Sequence, residues 1–235
     1  MTQRLRSLLL SLPLLAATAG AASAACDDGP RAGVDWTNCL LLNKHMAGSD
    51  FRGAMLAGTN FTNTDLSGSD FTGANLTGAF LIRTLLVEAT LVRADLTKAM
   101  MSRANLAGAD LSAAILVKAE LIRADLTGAR LVDGDLAKAE LGRTRLRDAD
   151  LGGATLTGAY LARADLRGAR FGSATLEGAD LNRADLRGAD LSQASGLEQP
   201  QLEATCGDET TRLPAGLVPP PSWPCGTRED NDLED

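Results

Sequence analysis

The sequence has 235 residues, of which only 3% are aromatic, and a formal net charge of −7 at pH 7. Globular cores ordinarily use Phe, Tyr and Trp to fill irregular volume, so a chain rich in Leu, Ala and Gly indicates one small packing unit repeated many times. The charge is unevenly placed: residues 36–196 carry 18 basic and 18 acidic residues, whereas residues 197–235 carry nine acidic and two basic ones. The middle of the chain is therefore neutral, and the excess negative charge lies mainly at its end.

Residues 1–25 have the layout of a secretory signal peptide. A basic start precedes an apolar run, and the small residues 22–25 match an A-x-A cleavage site. The apolar run is too short to span a bilayer comfortably, and no other stretch is long enough. We expect cleavage after Ala24 or Ala25, no membrane span in the mature chain, and a periplasmic or secreted location.

Two alternatives to simple cleavage are a retained membrane anchor and lipid attachment at Cys26. Cys26 follows Ser-Ala-Ala, as a lipid-modified cysteine could. A bacterial lipobox prefers Leu three residues before the cysteine, and Ser23 occupies that position here. This departure favours cleavage without lipidation.

All four cysteines lie beyond the signal segment, at Cys26, Cys39, Cys206 and Cys225. An even number of cysteines in an exported chain predicts disulfide bonds. None of them forms a CxxC pair, and His45 is the only histidine. We therefore expect no thiol–imidazole metal site.

A period of five residues dominates the sequence after residue 50. Stepping by five from Phe51 to Leu191 meets only Leu, Phe or Met, with a small residue two positions before each, and the phase extends back to Trp36. On an α-helix such a row would drift by about 140° per repeat. On a flat strand it would alternate between the two faces. A closed coil of short sides with a corner in each repeat satisfies the pattern, and the frequent Gly two residues after the Leu suits that corner.

The charged residues indicate the number of sides in a coil. Arg occupies the corner position at 20-residue intervals, at Arg83, Arg103, Arg123, Arg143, Arg163 and Arg183, and Lys does so at Lys98, Lys118 and Lys138. Twenty residues make four five-residue sides. About 32 repeats from Trp36 then form about eight coils, roughly 38 Å long at ~4.8 Å per stacked strand.

Several repeats resemble the A(D/N)LXX motif of the pentapeptide-repeat family, in its exported bacterial form. The matching segments are Ala-Asn-Leu-Thr-Gly at 74–78, Ala-Asp-Leu-Thr-Gly at 124–128, and Ala-Asp-Leu-Arg-Gly at 164–168 and 184–188. The resemblance covers roughly residues 36–193. It implies an all-β, right-handed quadrilateral β-helix. It says little about function, because most members of the family have no known activity.

Both ends of such a solenoid expose apolar side chains and strand edges, so both need caps. The predicted organisation is a signal peptide at 1–25, an N-terminal cap at 26–40, the solenoid at 41–196, a C-terminal cap at 197–227 and a disordered acidic tail at 228–235. Within the second cap, residues 197–206 are expected to form a short helix with Leu197 and Leu202 on one face.

The predicted length of the solenoid decides the disulfide pairing. Two cysteines lie at each end of a body roughly 38 Å long, whereas bridged Cα atoms lie within about 7 Å of each other. Bonds between the two ends are therefore excluded. Cys26–Cys39 and Cys206–Cys225 remain as the expected pairs.

No catalytic motif occurs in the sequence, and the many acidic residues before each Leu are expected to face outward on a filled body. General acid–base chemistry needs a desolvated pocket, so we expect neither an enzyme nor a cofactor. The quinolone-resistance members of the family resemble DNA and bind gyrase. A neutral solenoid behind a signal peptide disfavours that role, and we expect no nucleic-acid partner.

The candidate partner surface consists of apolar residues at outward positions beside the Arg corner. Its residues are Phe80, Ile82, Met100 and Ile122 with Arg83, Arg103 and Arg123. Arg next to apolar side chains is typical of interfaces, which favours a binding module for an envelope protein or a second copy. In the alternative hypothesis, Asp125, Asp165 and Asp185, each two residues after an Arg of the column, make a charge-balanced surface on a structural spacer.

Overall fold

Each five-residue repeat forms one side and one corner of a coil in the computed structural model, which describes residues 26–225. Phe51 points inward, residues 52 and 53 form the turn, Ala54 points inward again and Met55 faces outward. The turn is closed by the Ala54 amide, which donates to the Phe51 carbonyl at 3.0 Å. The small residue and the large one thus fill the core from the same side of the coil.

The corner requires a backbone that only Gly adopts without strain. Gly53 has φ +62° there, and its amide donates to the carbonyl of Thr72 in the next coil at 2.9 Å. A positive φ at the third position of a four-residue turn is the geometry of type II turns, in which Gly is favoured. This explains the Gly that recurs two residues after the inward Leu.

Stacking of the coils follows a 20-residue register. Parallel bridges join Asp35 to Met55 and continue in steps of five along the solenoid, and each bridge is a single residue wide. Four ladders result, one on each side of a right-handed quadrilateral β-helix. The expected four-sided coil and the all-β fold are confirmed.

The core is a column of inward Leu side chains, closed at its N-terminal end by aromatic rings. Trp36, Phe51, Phe61 and Phe71 are each at most 1% exposed. The rings of Phe51 and Phe71 stack with centroids 4.8 Å apart. Phe51 and Phe71 share one row, 20 residues apart, whereas Phe61 comes from the opposite side of the coil and meets the Phe51 ring edge-on with centroids 6.4 Å apart.

The N-terminal cap is shorter than the predicted segment 26–40. The first bridge lies at Asp35, and Val34 and Trp36 are already buried in the core. The solenoid therefore starts about six residues before position 41, because the weakly matching early repeats still adopt the turn geometry. The expected Cys26–Cys39 bond is present, with Cα atoms 5.5 Å apart.

The C-terminal cap contains one helix, α1, at Gln199–Leu202, which is shorter than the predicted segment 197–206. The side chain of Gln201 donates to the carbonyls of Leu176 and Ala179 at 3.0 and 2.8 Å. Leu202 is fully buried and Leu197 packs against the core, as expected for one apolar face. The helix covers open carbonyls of the last complete coil.

Beyond the helix the chain returns to the ladder, which corrects the predicted end of the solenoid at residue 196. Cys206 bridges to Asp185 and Arg212 bridges to Asp190, with spacings of 21 and 22 residues instead of 20. The first extra residue falls where α1 is inserted, between Ser195 and Cys206, and the second lies in the turn between Cys206 and Arg212. The expected Cys206–Cys225 bond then holds the end of the cap, with Cα atoms 5.5 Å apart.

Two predicted segments, the signal peptide at 1–25 and the acidic tail at 228–235, lie outside the described residues. Between residues 26 and 225, no helix has the length and apolar character needed to cross a bilayer. Over the same range, no group of His, Cys, Asp and Glu side chains is arranged to hold a metal ion.

Candidate partner surface

One of the four ladders carries the predicted apolar residues, and we name it the Phe80 face. Its outward positions recur every 20 residues, at Leu40, Asn60, Phe80, Met100, Glu120, Glu140, Tyr160 and Asp180. Each is the middle residue of its side, so its backbone joins the ladder while its side chain points away from the core. The face also includes the two corners that border this side.

The seven residues predicted from the sequence all lie on this face. Phe80 and Met100 are adjacent rungs, with the Leu81 amide bonded to the Met100 carbonyl at 2.7 Å, and both side chains are half-buried. Ile82 and Ile122 occupy the first turn position after the ladder, where Ile122 is 40% exposed. Arg83, Arg103 and Arg123 occupy the second turn position.

The Arg column is the set of six arginines at the corner that follows the ladder. All six adopt positive φ, between +55° and +61°: Arg83, Arg103, Arg123, Arg143, Arg163 and Arg183. A residue with a Cβ pays about 1–2 kcal/mol in this conformation. The next corner uses Gly at most of its positions, for example Gly68, Gly108 and Gly128. The backbone therefore does not explain six consecutive arginines, and the reason lies in their side chains.

Acidic side chains do not balance the column as the spacer hypothesis supposes. Within residues 26–225, five of its members have no carboxylate within 4.0 Å of their guanidinium groups, namely Arg83, Arg103, Arg123, Arg143 and Arg163. Asp125 instead pairs with Arg145 at 3.8 Å. Asp185 pairs with Arg187 and also lies 3.7 Å from Arg167.

Asp165 is the most deeply buried of these acids, with 3% of its surface exposed. Arg147 donates to it from the preceding coil, and Arg167 donates to both of its oxygens at 2.9 and 2.8 Å. Burial raises the pKa of the Asp165 carboxyl, although hydrogen bonds from Arg147 oppose that rise. Asp165 is thus paired with Arg147 and Arg167 on the neighbouring side of the coil, and its negative charge does not neutralise the Arg column.

The Phe80 face is basic although the solenoid as a whole is neutral. The corner before the ladder carries Lys98, Lys118 and Lys138, so lysines and arginines border the apolar rungs on both sides. Together they make nine basic side chains against Glu120, Glu140, Glu177 and Asp180. The ladder on the opposite side carries five aspartates, Asp50, Asp70, Asp110, Asp150 and Asp190, together with Arg130, Arg170 and Arg212, each of which pairs with one of those aspartates. Charges on the opposite ladder are therefore interleaved and largely paired, whereas the Phe80 face has a clear excess of basic side chains.

A shallow groove lies on this face beyond Ile122. Gly142 and Ala162 form its floor, because they stand where Ile82 and Ile122 stand in earlier coils. The ring of Tyr160 covers Gly142 so closely that a Cβ there would lie 2.8 Å from the ring. Arg143 and Arg163 line the other wall.

Sequence reasoning missed Tyr160, Gly142 and Ala162. Tyr160 is the only tyrosine in the chain and is 43% exposed. It occupies the outward position of its repeat, and this position in the five-residue period could have identified it as a surface residue of the Phe80 face. Leu85 and Ile115 are also exposed outward apolar residues, but they lie on the two neighbouring ladders. The groove extends the candidate surface toward the C-terminal end of the solenoid.

The fold and this surface define a four-sided β-solenoid repeat protein with one basic and partly apolar face. The family model for pentapeptide repeats matches eight copies, over residues 33–68, 69–106, 104–143, 139–178 and 164–195. The chain therefore belongs to the pentapeptide-repeat family.

Solved structures of the family show what the chain is similar to. HetL from the cyanobacterium Nostoc sp. strain PCC 7120, a protein involved in the regulation of heterocyst differentiation, is 30% identical over 81% of this chain and 88% of its own, with a TM-score of 0.57. Rfr23 from the cyanobacterium Cyanothece 51142 is 33% identical over 42% and 67%, with a TM-score of 0.38. QnrB1, a plasmid-mediated fluoroquinolone resistance protein, is 18% identical over 74% and 91%, with a TM-score of 0.48. No match was found among curated proteins.

Proposed function

We propose that the chain is a non-enzymatic binding module of the cell envelope, and that the Phe80 face is its partner surface. The observation that carries the proposal is the Arg column. Five of its guanidinium groups have no carboxylate of residues 26–225 within 4.0 Å, and they lie beside the exposed side chains of Ile122 and Tyr160. Arg and Tyr are enriched among the residues that dominate the energetics of protein interfaces, and aromatic side chains and Met are enriched at interfaces. A partner with an acidic and partly apolar surface would complement this face.

The described carboxylates support a non-enzymatic role. Outward aspartates accept hydrogen bonds from the amide two residues later, which fastens the turn. The Ser67 amide holds the pKa of Asp65 below its usual range, and the Ser192 hydroxyl together with the Ser192 amide does the same for the pKa of Asp190. A general acid at neutral pH needs the opposite shift, and Asp165, which has it, is enclosed by two arginines.

An exported location is supported by the layout of residues 1–25 and by a disulfide bond at each end of the solenoid. Disulfide bonds persist in the periplasm and outside the cell. Lipid attachment would use the sulfur of Cys26, which bonds to Cys39 in the structure. The periplasm is the preferred compartment, with release from the cell as the second possibility.

Export predicts a processed N-terminus. The mature chain purified from its host should begin at Ala25 or Cys26, as read by N-terminal sequencing, and should incorporate no labelled fatty acid. A mature chain that retains Met1 would contradict export, and incorporated fatty acid would establish the lipoprotein form.

Binding predicts that changes on the Phe80 face remove a partner without unfolding the chain. The test variant is I82S/R103E/I122S. A matched control is V92S/R93E/V132S, which replaces two valines and one arginine at the corresponding turn positions of the diagonally opposite corner. We expect the wild type and the control to capture the same envelope protein, or to form the same dimer in light scattering, and the test variant to lose at least tenfold in affinity.

The spacer hypothesis gives a different result in this experiment. A wild-type chain that is monomeric and captures nothing beyond what the test variant captures would end the binding proposal for this face. Circular dichroism of all three proteins shows whether the variants have kept their fold.

A further inference from the structure

The C-terminal segment of the chain begins beside the Arg column. Cys225 is bonded to Cys206, whose backbone pairs with Asp185 on the ladder next to the column. The amide of Arg183 donates to the carbonyl of Ala204 at 2.8 Å. Cys225, the last residue that the structure describes, therefore lies within about one coil of the last arginine of the column.

The charge of this segment complements the Phe80 face. Residues 226–235 contain five acidic side chains and one basic one: Glu229, Asp230, Asp232, Glu234 and Asp235 with Arg228. The face carries nine basic and four acidic side chains. The opposite ladder offers no such excess, because its five aspartates outnumber Arg130, Arg170 and Arg212, which are themselves paired with three of them.

The segment is also long enough to reach along the face. Ten residues span at most about 33–36 Å. Four coils, from Arg183 to Arg103, rise by only about 19 Å. Leu233 is the one large apolar residue among the acids. It can reach the groove at Gly142 and Ala162, which lies about three coils from the disulfide-bonded end, or about 14 Å.

We propose that residues 226–235 of this same chain occupy the Phe80 face, with their carboxylates on the Arg column and Leu233 over Gly142 and Ala162. The segment is then an internal competitor that a partner must displace. This last step rests on the proposed function, whereas the occupancy itself does not. Composition alone predicts a disordered acidic tail at 228–235. The position of Cys225 beside a basic face adds the information that composition lacks.

The single tyrosine makes the occupancy measurable without a partner. Ring-labelled tyrosine gives signals from Tyr160 only, which forms one wall of the groove. We compare the disulfide-bonded chain from residue 26 with the variant E229Q/D230N/D232N/E234Q/D235N by NMR. At low salt the Tyr160 shifts should differ between the two proteins. In about 1 M salt, where the screening length falls to about 3 Å, they should coincide.

Two further variants assign the effect. In the R143Q/R163Q background, which removes the charge from the groove wall, neutralising the tail acids should no longer change the Tyr160 shifts. Neutralising acids of the cap in E198Q/E203Q should leave the wild-type shifts in place, because these acids precede the segment. Identical Tyr160 shifts in the wild type and the tail variant at low salt would overturn the proposal. A difference that grows with protein concentration would overturn its intramolecular form, because a neighbouring copy would then supply the segment.

The consequence for binding is measured separately. If the segment covers the face for about three quarters to nine tenths of the time, the neutralised variant should bind the partner about fourfold to tenfold more tightly. Equal affinities would show that the segment does not compete. Failure to find any partner would count against the proposed function and leave the Tyr160 comparison as an independent test of occupancy.

Discussion

Replacing Leu126 with Asp should unfold most of the solenoid or destabilise it by at least about 4 kcal/mol. Leu126 is fully buried in a column whose neighbours in the adjacent coils, Leu106 and Leu146, are also fully buried. A carboxylate there would have no polar partner, and desolvating it adds to the lost burial of a Leu side chain, which is worth about 1.5–3 kcal/mol. Urea unfolding followed by circular dichroism measures the loss.

The neighbouring change Asp125→Asn is the matched control. The Oδ1 atom of Asp125 accepts from the amide of Thr127 at 3.0 Å and from its hydroxyl at 2.6 Å, and Asn keeps that acceptor. Only a 3.8 Å contact with the partly exposed Arg145 is lost, which is worth about 0–1 kcal/mol. Similar losses of stability in the two variants would mean that the assignment of inward and outward positions is wrong.

The inward and outward positions could be predicted because one geometric constraint recurs in every repeat. A large apolar residue and a small one two positions earlier must both fill the coil, so each repeat supplies the same information again. The corner was predictable for the same reason, since Gly recurs at the position that needs positive φ. The cap could not be read this way, because residues 197–225 lack the period and insert α1 between two rungs.

The candidate site was only partly predictable, because side chains from different coils decide its properties. Asp165 stands two residues after Arg163 in the sequence, yet it bonds to Arg147, 18 residues away, and to Arg167. The groove exists because Gly142 and Ala162 are small residues at positions where earlier coils have Ile. A search for large exposed side chains does not find such positions. Nearness in sequence is also a poor guide to the face, because Leu85 is two residues from Arg83 but lies on another ladder.

Removing the bond between Cys206 and Cys225 should destabilise the chain by about 3 kcal/mol. The bond closes a 19-residue separation, and the loss of conformational entropy in the unfolded chain accounts for that magnitude. The bond also holds Trp223 against the cap, where its indole nitrogen donates to the carbonyl of Thr205 at 3.0 Å and its ring lies over Gly207. The variant C206S/C225S should therefore loosen the C-terminal cap first.

The two tryptophans report on opposite ends of the solenoid, which separates loss of the cap from general unfolding. Trp36 is 1% exposed beside Cys39, and Trp223 lies against the other disulfide-bonded end. In C206S/C225S, acrylamide quenching of Trp223 should rise while that of Trp36 stays unchanged, and C26S/C39S should leave Trp223 as it is. A loss of stability below about 1 kcal/mol, with unchanged quenching of Trp223, would contradict this prediction. It would show that the packing of Leu202 and the ladder at Arg212 hold the cap without the disulfide bond.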